Sequence, residues 1–458
     1  MSMEGRGTQQ DRVNNGQKEQ SPNCNSFQTK LLSLTSRAKQ IRDEPLRTLM
    51  HLVDKEWLGE SWRKLRKGAA YGIDAVSSNK YAENLSLNLY KLLYRMQRGK
   101  YKAQPVKRVY IAKRDGSKRP LGLPTVEDKV AQNAVNLLLK AVYEPEFLLM
   151  SYGFREGKNS LQAVEDVKET IAQKKVSWVL DVDIASFFDN MQHEWLMKFV
   201  SHRIKDQRVL KHIKGWLEAG IMEDGKLIAS STGSPQGGVI SPTLANIYLH
   251  YVIDLWCTKV ARNSIKGEMY SFRYADDLLF CFQHENQAVK FQEMLKSRLQ
   301  KFELEMNLKK SKLCRFGKFA IENSRKQNER RSTFSFLGFT FYNGISRNGK
   351  YKVGCRTESK RLSAAMNRVT TWCRENLHQP LPWQARYLNA VLRGHYNYYG
   401  VTGNYPSISA FYRHLERIWH KYLSRRSQRG YIPWERFWKI KDQYGLIKPH
   451  LPHSVHNN

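Results

Sequence analysis

Residues 270–282 have the sequence YSFRYADDLLFCF. Apolar residues alternate with other residues up to Tyr274 and again from Leu278, and residues 275–277 separate the two runs. This pattern predicts a β-hairpin with acidic residues at its tip. Two adjacent carboxylates repel each other unless a cation neutralises them. Because acidic turns are also common on protein surfaces, the hairpin alone does not distinguish a cation site from a solvated turn.

A second acidic stretch lies upstream, where residues 178–184 have the sequence WVLDVDI. The apolar run predicts a buried strand that ends near Asp183. Asp181 precedes Asp183 by two residues, so both side chains project from the same face of the strand. Two or three carboxylates brought together by this strand and the hairpin would form an oxygen site suited to Mg²⁺.

The charge of the chain indicates a polyanionic partner. Its 458 residues carry 76 Lys and Arg against 42 Asp and Glu, a formal net charge of +34. Such an excess attracts and steers polyanions. Nucleic acid is a better candidate than an anionic membrane, because the sequence has no apolar run of about 18 residues. The alternative is a basic protein that its charge merely keeps soluble.

Cysteine usage and the N-terminal segment bear on the compartment. The chain has six cysteines, and none of them forms a C-x-x-C pair. This pattern favours neither a disulfide framework nor a zinc ribbon. Residues 1–23 also lack the apolar stretch of a signal peptide. The sequence therefore predicts a cytoplasmic protein.

The remaining patterns divide the chain into segments. A polar composition predicts disorder over residues 1–27. The residues after about 350 predict a helical, aromatic and basic region without strands. Between them we expect helices over 28–65, 79–98, 126–142, from about 189 and from Ser241–Pro242, a strand over 105–111 and a sharp Gly-rich turn over 233–239.

Several of these segments resemble the motifs of one family, in the same order, across residues 66–342. The chain is similar to the reverse transcriptases encoded by bacterial group II introns, which are also called maturases. Because no H-N-H endonuclease motif follows, the resemblance is to compact members of the group IIC class. The matching segments are 119–125 (RPLGLPT), 151–155 (SYGFR), 183–190 (DIASFFDN), 233–242 (GSPQGGVISP), 272–277 (FRYADD) and 336–339 (FLGF).

The resemblance implies an α+β right-hand polymerase with fingers, a palm built of an antiparallel sheet plus helices, and a helical thumb with maturase function. The implied parts are a disordered tail (1–27), an N-terminal helical extension (28–78), fingers (79–175), palm (176–345), thumb or maturase domain (350–445) and a C-terminal tail (446–458).

The implied activity is RNA-directed DNA polymerisation. The enzyme would copy intron RNA from a primer 3′-hydroxyl and would also assist splicing and mobility. The resemblance assigns catalysis to Asp183, Asp276 and Asp277. These residues, with the backbone carbonyl of Ile184, would hold two Mg²⁺ ions, for which Mn²⁺ can substitute. Asp181 is then a structural acid, although a direct role stays open.

The same resemblance assigns five residues to the incoming nucleotide. An aromatic ring at Phe188 would exclude ribonucleotides, although plain core packing is the alternative. A basic turn near residues 113–119 would contact the triphosphate, or it is merely solvated. The resemblance also assigns a lysine after the hairpin, but because other lysines lie at 309 and 312, the choice among them stays open. The five residues are Lys113, Arg119, Phe188, Gln236 and Lys310.

The C-terminal region contains a candidate RNA-binding surface. Residues 411–429 predict an amphipathic helix whose cations recur every four residues. Such a row can follow a phosphate backbone, or it is the solvated face of an ordinary helix. Arg393 lies in the tyrosine-rich segment 393–400 upstream. The predicted RNA-binding residues are Arg393, Arg413, Arg417, Lys421 and Arg425.

The partners implied are group II intron RNA, a DNA primer or target, and dNTPs, without a membrane. Two other functions remain open at this point. One is a splicing cofactor that binds RNA and has an incidental polymerase activity. The other is a domesticated reverse transcriptase that serves defence or repair.

Overall fold

The computed structural model describes residues 26–42, 44–112, 118–223, 226–228, 233, 237–318, 320, 332–346, 348–427 and 430–453. Helices dominate both ends of the described chain, and three β-sheets lie between them. The predicted α+β class is therefore confirmed. Residues 1–25 of the predicted polar tail lie outside the described residues, but its last residue, Phe27, is buried at the start of the first helix.

A long buried helix organises the N-terminal third of the chain. The Thr125 hydroxyl caps it by accepting a hydrogen bond from the Asp128 N–H. Earlier helices pack against it, and the Trp57 indole N–H donates to the Ala134 carbonyl at 3.0 Å. These helices are α1 (Phe27–Gln40), α2 (Lys55–Arg63), α3 (Ser78–Glu83), α4 (Leu85–Gln97) and the long helix α5 (Val126–Tyr143).

Two helix predictions can be compared directly with this region. The long helix predicted over 126–142 is confirmed and ends one residue later. The single helix predicted over 79–98 is wrong, because Asn84 separates α3 from α4 with φ −121° and ψ 39°. Asparagine side chains compete for backbone hydrogen bonds, which favours helix ends over helix interiors.

Eleven strands in the described residues form three sheets, with orders β2-β1-β4-β5, β6-β7-β3-β8 and β11-β10-β9. In chain order they are β1 (Val106–Ala112), β2 (Lys118–Leu123), β3 (Trp178–Asp183), β4 (Ile221–Glu223), β5 (Lys226–Ile228), β6 (Met269–Tyr274), β7 (Asp277–Phe282), β8 (Lys312–Arg315), β9 (Thr333–Phe336), β10 (Phe339–Ile345) and β11 (Tyr351–Thr357).

The middle sheet is antiparallel and is buried on both faces. Alternate residues of its strands enter two different cores: Leu180 and Phe280 face one, whereas Val179 and Leu279 face the other. Two-sided burial explains why β3 and β7 are nearly continuous apolar runs. It also confirms the predicted hairpin, because β6 and β7 pair from Tyr274–Asp277 outward.

Helices surround this sheet, and one of them is irregular. The helix predicted from Ser241–Pro242 begins at Ser241 and continues through two π-helical turns, His250–Asp254 and Cys257–Ala261. Such turns often mark functional positions. The helices of this region are α6 (Ser160–Gln173), α7 (Phe187–Asn190), α8 (His193–Arg203), α9 (Gln207–Glu218), α10 (Ser241–Leu249), α11 (Arg262–Ser264) and α12 (Glu285–Gln300).

The expectation that strands stop after about residue 350 is wrong. β11 pairs with β10 along its whole length, from Tyr351 opposite Ile345 to Thr357 opposite Phe339. Val353 and Cys355 are buried, and Lys352 and Arg356 are exposed. The basic residues therefore occupy the solvent side of a strand, and their charge obscured the alternation in the sequence.

Four helices form the C-terminal part around a separate apolar core. The predicted amphipathic helix exists, with Phe411, Leu415 and Trp419 buried, but it runs from Tyr405 to Leu423 instead of 411–429. Within the described residues, no helix is long and apolar enough to cross a membrane. The helices are α13 (Ser359–Glu375), α14 (Leu381–Tyr399), α15 (Tyr405–Leu423) and α16 (Trp434–Gln443).

A buried carboxylate fastens the N-terminal segment to α9. Asp206 accepts hydrogen bonds from the N–H groups of Leu49 and Met50 at 2.7 and 2.8 Å, and from those of Arg208 and Val209 at 2.9 and 3.4 Å. Burial alone would raise the pKa of Asp206, but these four bonds together lower it below its ordinary value.

We expect Asp206→Ala to lower the free energy of unfolding by about 2–4 kcal/mol at pH 7, because it leaves buried N–H groups without acceptors. A lowered pKa means that this contribution is present above the unfolded-state pKa of about 3.9 and is lost as the pH falls through the folded-state value. Urea unfolding at pH 7 and pH 3.5 checks both points. The control Glu194→Ala, on the exposed surface of α8, should change neither, and an equal loss at both pH values would contradict the account.

Candidate active site

Three predicted acids meet at one corner of the middle sheet. Asp183 is the last residue of β3 and lies directly opposite Asp277, the first residue of β7. Asp276 precedes Asp277 in the two-residue turn that joins β6 to β7. The structure therefore brings together the residues to which the sequence assigned catalysis.

The turn itself is held in an unfavourable backbone conformation. Ala275 has φ 55°, a left-handed value that side chains other than glycine seldom adopt. Among the two central residues only Ala275 has a positive φ, as in a type II′ turn, whose first position favours glycine. Such strain persists only where the surroundings enforce it.

Gly153 supports the turn from below. A Cβ atom added to Gly153 would lie 2.4 Å from the Ala275 nitrogen, far inside van der Waals contact. The Gly153 carbonyl accepts a hydrogen bond from the Asn246 side-chain amide at 2.7 Å. The SYGFR motif thus contributes a residue without a side chain, because backbone must pack directly on backbone here.

A completely buried arginine joins the elements around the turn. Arg273 in β6 is fully buried, and its five N–H groups make five hydrogen bonds. Two go to the Asp254 carboxylate at 2.7 and 2.6 Å, and one goes to the Ala275 carbonyl at 3.2 Å. The others reach the Asn246 side-chain oxygen at 2.9 Å and the Ser151 hydroxyl at 2.7 Å.

The backbone of Arg273 is fixed as well. Its N–H donates to the Met150 carbonyl at 2.7 Å, and its carbonyl accepts from the Tyr152 N–H at 2.8 Å. Burial alone would raise the pKa of Asp254, but the Arg273 guanidinium and the His250 ring together outweigh it and lower that pKa. Sequence reasoning missed Asp254, although an arginine inside an apolar strand is a signal that a buried acid must exist.

The acidic corner is electrostatically strained. Part of the Asp277 side chain is exposed on the open side of the corner, but the surrounding protein still removes much of its water. This desolvation, followed by repulsion from Asp276 and Asp183, raises the pKa of Asp277 to about 6. Desolvation and Asp183 also raise the pKa of Asp276. Desolvation, followed by repulsion from Asp277 and then from Asp183, raises the pKa of Asp181 to about 7. A cation bound at the corner would relieve this repulsion.

Basic side chains partly offset the repulsion. The Lys310 ammonium lies 3.5 Å from an Asp183 carboxylate oxygen, which also accepts from the Asn307 amide at 3.1 Å. Arg119 and Lys310 both lower the pKa of Asp276. Among the neighbouring lysines, Lys312 acts instead on Asp181. The structure therefore places Arg119 and Lys310 beside the acids.

Arg361 is a cation of this site that the sequence did not indicate. It lies in the first turn of α13, is held by Glu358 at 3.1 Å, and lowers the pKa of Asp277. Its side chain passes so close to Gly338 that a Cβ there would lie 2.9 Å from the arginine. The FLGF motif is therefore the place where the C-terminal helices approach the acidic corner.

Phe188 lies at the edge of the site on α7, half-buried. Its ring contacts Phe187 edge-on at 5.3 Å between centroids, and Phe187 itself is buried. Phe188 also packs against the core to which Phe187 belongs, so plain core packing remains an alternative for its ring. The loop that follows approaches closely, since a Cβ on Gly233 would lie 2.9 Å from the Phe188 carbonyl oxygen.

The remaining predicted residues are placed as follows. Ile184 is buried and pairs with Met306 just beyond Asp183. Lys113 and Gln236 lie outside the described residues. Arg393 on α14 and Arg413, Arg417 and Lys421 on α15 are all exposed, whereas Arg425 is exposed but lies beyond the end of α15, so the predicted helical row is one residue shorter.

The acidic corner fits a hard divalent cation by the chemistry of its donors. All three acids offer carboxylate oxygens, which such ions prefer, and their mutual repulsion is the cost that ion binding removes. Within the part of the chain that is described, no three His, Cys, Asp or Glu side chains form a ready-made metal cage. Binding of an ion would therefore also have to draw these carboxylates together.

Comparison with known proteins decides the family. Residues 111–341, about half of the chain, match the family described as reverse transcriptase (RNA-dependent DNA polymerase). The chain belongs to the reverse transcriptase family. The chain has the right-hand polymerase fold, and its family depends on divalent cations in general. The matched segment begins in β1 and ends in β10, so it includes all three acids.

Individual relatives extend the comparison. Protein YkfC of Escherichia coli K12 is 36% identical over 210 residues, which are 44% of this chain and 55% of YkfC. The group II intron-encoded protein LtrA of Lactococcus lactis is 40% identical over 161 residues, 35% of this chain and 26% of LtrA. An uncharacterized 91 kDa protein in the cob intron of Schizosaccharomyces pombe is 35% identical over 160 residues. The chain thus matches about half the length of YkfC and about a quarter of LtrA.

We expect Arg273→Met and Asp254→Leu each to lower the free energy of unfolding by about 3–5 kcal/mol, because each leaves a buried charge unpaired. The double variant should lose clearly less than the sum of the two. Urea unfolding of the four proteins of this cycle measures the coupling. Arg63→Met, at an exposed position of α2, is the control, and strict additivity would show that the pair does not act as a unit.

We expect Asp277→Asn to raise the melting temperature by about 1–2 °C in EDTA at pH 8, because it removes one of the repelling charges. A raised carboxyl pKa contributes stability that is present below the unfolded-state pKa and is lost as the pH rises through about 6. The gain should therefore vanish near pH 4. Calorimetry measures both proteins again with added divalent cation, which should raise the melting temperature of the parent more than that of the variant. An equal rise in both would exclude Asp277 as a ligand.

Proposed function

We propose that this chain is an RNA-directed DNA polymerase that copies group II intron RNA into DNA from a primer 3′-hydroxyl. One observation carries the proposal: Asp183, Asp276 and Asp277 lie together at a strained turn in a chain of the reverse transcriptase family. The substrates are an RNA template, a DNA primer and dNTPs. The named intron product among the relatives supports intron RNA as the template.

In this proposal Asp183, Asp276 and Asp277, with the Ile184 carbonyl, hold two Mg²⁺ ions. When bound, these ions supply activation of the primer hydroxyl and stabilisation of the departing pyrophosphate. Asp183 is the better ligand than Asp181, because a pKa of about 7 leaves Asp181 partly protonated near neutral pH. Lys310 and Arg361 partly offset the desolvation and repulsion that raise the pKa of Asp277.

The residues around the acids receive the nucleotide. Arg119 extends from β2 toward Asp276, where a triphosphate would also lie, and a guanidinium binds phosphate oxygens in a fork. In this proposal the half-buried ring of Phe188 excludes a ribose 2′-hydroxyl. Lys113 and Gln236 complete the proposed nucleotide site.

We assign the fingers to residues 79–175, the palm to 176–345 and the thumb or maturase domain to 350–445. The boundary between the palm and the thumb moves in this proposal, because β11 pairs with β10 of the palm and extends their sheet to Thr357. The tail after 446 is not separate either, since the His453 N–H donates to the Gly400 carbonyl at 3.2 Å.

The same chain would assist splicing through its basic C-terminal helices. Arg413, Arg417 and Lys421 project from the exposed side of α15, opposite its buried face. Their spacing of four residues, about 6 Å along the helix, suits contacts along a phosphate backbone. This surface also supports the second candidate, an RNA-binding splicing cofactor whose polymerase activity is incidental.

The variant Asp276→Ala with Asp277→Ala separates the two functions. We expect dNTP incorporation on an RNA template with Mg²⁺ to fall more than about 1,000-fold, because the ion site is lost. Splicing of the intron should survive, since the basic face of α15 is unchanged. Asp181→Asn is the control and should retain most incorporation. Undiminished incorporation by the double variant would refute the site, and loss of splicing would contradict a splicing surface that is separate from the acids.

A further inference from the structure

Three exposed aromatic rings lie close together near the C-terminus of the described chain. The exposed fraction of the side chain is 69% for Tyr431, 37% for Trp434 and 51% for Trp438. Single exposed aromatic residues need no explanation, but several on one small surface indicate a binding site. We call these three residues the C-terminal aromatic patch.

Within the patch, the Trp434 ring is held rigidly. Phe437, between the two tryptophans, is fully buried and packs edge-on against Trp419 at 5.5 Å. The Trp434 ring stacks on His420 of α15 at 3.9 Å, with 16° between the ring planes. The His420 Nε2–H donates to the Ile432 carbonyl at 2.7 Å, which fixes the segment before α16. Binding at Trp434 would therefore require little further ordering of its ring.

A second contact joins α16 to α15. The Lys441 ammonium lies 2.9 Å from the Glu416 carboxylate, so this acid of α15 is neutralised. Glu416 and His420 are one turn apart and together mark the side of α15 that faces α16.

The basic row of α15 borders the patch. Arg417 is three residues from His420, which places the two side chains about 60° apart around the helix. Lys421 directly follows His420, and both cations are exposed. The exposed residues of α16 itself include both acids, Glu435 and Asp442, and cations, Arg436 and Lys439, so the row of like charges beside the rings comes from α15.

Rings beside a row of cations match the chemistry of an unpaired nucleic acid strand. Its bases stack on aromatic side chains, and its phosphates bind lysine and arginine. A perfect duplex would satisfy the cations but would offer no free base faces to the rings. A protein partner would use the rings but would not require the basic row.

We propose that Tyr431, Trp434 and Trp438 stack the bases of unpaired RNA, whose phosphates are held by Arg413, Arg417 and Lys421. The choice of RNA over DNA rests on the proposed function, whereas the stacking surface itself does not. This surface shares no residue with the acidic corner, so the protein would hold a looped-out part of its RNA there while it copies another part.

The test uses a 20-residue oligouridylate, which has no stable pairing, as the probe. The full-length protein is first saturated with an RNA–DNA primer–template duplex, so that the polymerase cleft is occupied. Fluorescence anisotropy then gives the Kd of the labelled probe. We expect Trp438→Ala and Tyr431→Ala each to weaken binding about tenfold, since stacking of one base is worth about 1–3 kcal/mol.

Controls separate the surface from general damage. Trp438→Phe should retain most of the affinity, because a phenyl ring still stacks. Tyr90→Ala removes an equally exposed ring, 61% accessible on α4, and should bind like the parent. Trp434 is left unchanged, because its ring supports the fold through His420. Melting temperatures of all variants should agree with that of the parent.

Three results would overturn the inference. They are unchanged oligouridylate binding by both alanine variants, equal binding of oligothymidylate, and a change in self-association of Trp438→Ala without a change in RNA binding. Primer extension by the same proteins reports separately on the proposed function. If the parent extends no primer but Trp438→Ala still weakens binding of the probe, the proposed polymerase activity is refuted and the proposed stacking surface is not.

Discussion

The arrangement of the acidic corner depends on the Arg273 guanidinium. A buried cation is costly unless every donor is satisfied, and here five N–H groups meet five acceptors on three segments: the residue Ser151, the helix that begins at Ser241, and the hairpin turn. Its rigid fork binds both Asp254 oxygens, which a lysine could not do. Displacement of any one partner would leave a buried charge unpaired or a buried donor without a hydrogen bond, so the segments hold one another in place.

This hydrogen-bond network explains why the turn keeps a positive φ at Ala275. Arg273 binds the carbonyl of Ala275, and Gly153 packs against the nitrogen of the same residue. The left-handed backbone is thereby enforced from two sides. As a result, Asp276 and Asp277 project from the turn toward Asp183 instead of dispersing into solvent. The molecule accepts repulsion among its acids in exchange for a site poised for cations, as enzymes commonly do at the expense of stability.

Some of this organisation was accessible from the sequence and some was not. The hairpin over 270–282, the strand ending at Asp183 and the helix over 126–142 follow from local periodicity, which survives in the folded chain. The strand over 351–357 was missed because its exposed positions carry lysine and arginine. The helix over 79–98 was predicted as one piece because its apolar spacing continues across Asn84. Both errors arise where local composition and tertiary placement disagree.

The sequence by itself determined the reverse transcriptase motifs, the three acids and the basic face of α15, because residue type and spacing are local properties. Only the tertiary structure decided which cations reach those acids. Lys310 instead of Lys312 approaches Asp183, and Arg361 arrives from a helix 84 residues beyond Asp277 (361 − 277). The fivefold pairing of Arg273 and the joining of the aromatic patch to α15 through His420 are likewise tertiary facts. They arise from contacts between segments distant in the chain, which no local pattern encodes.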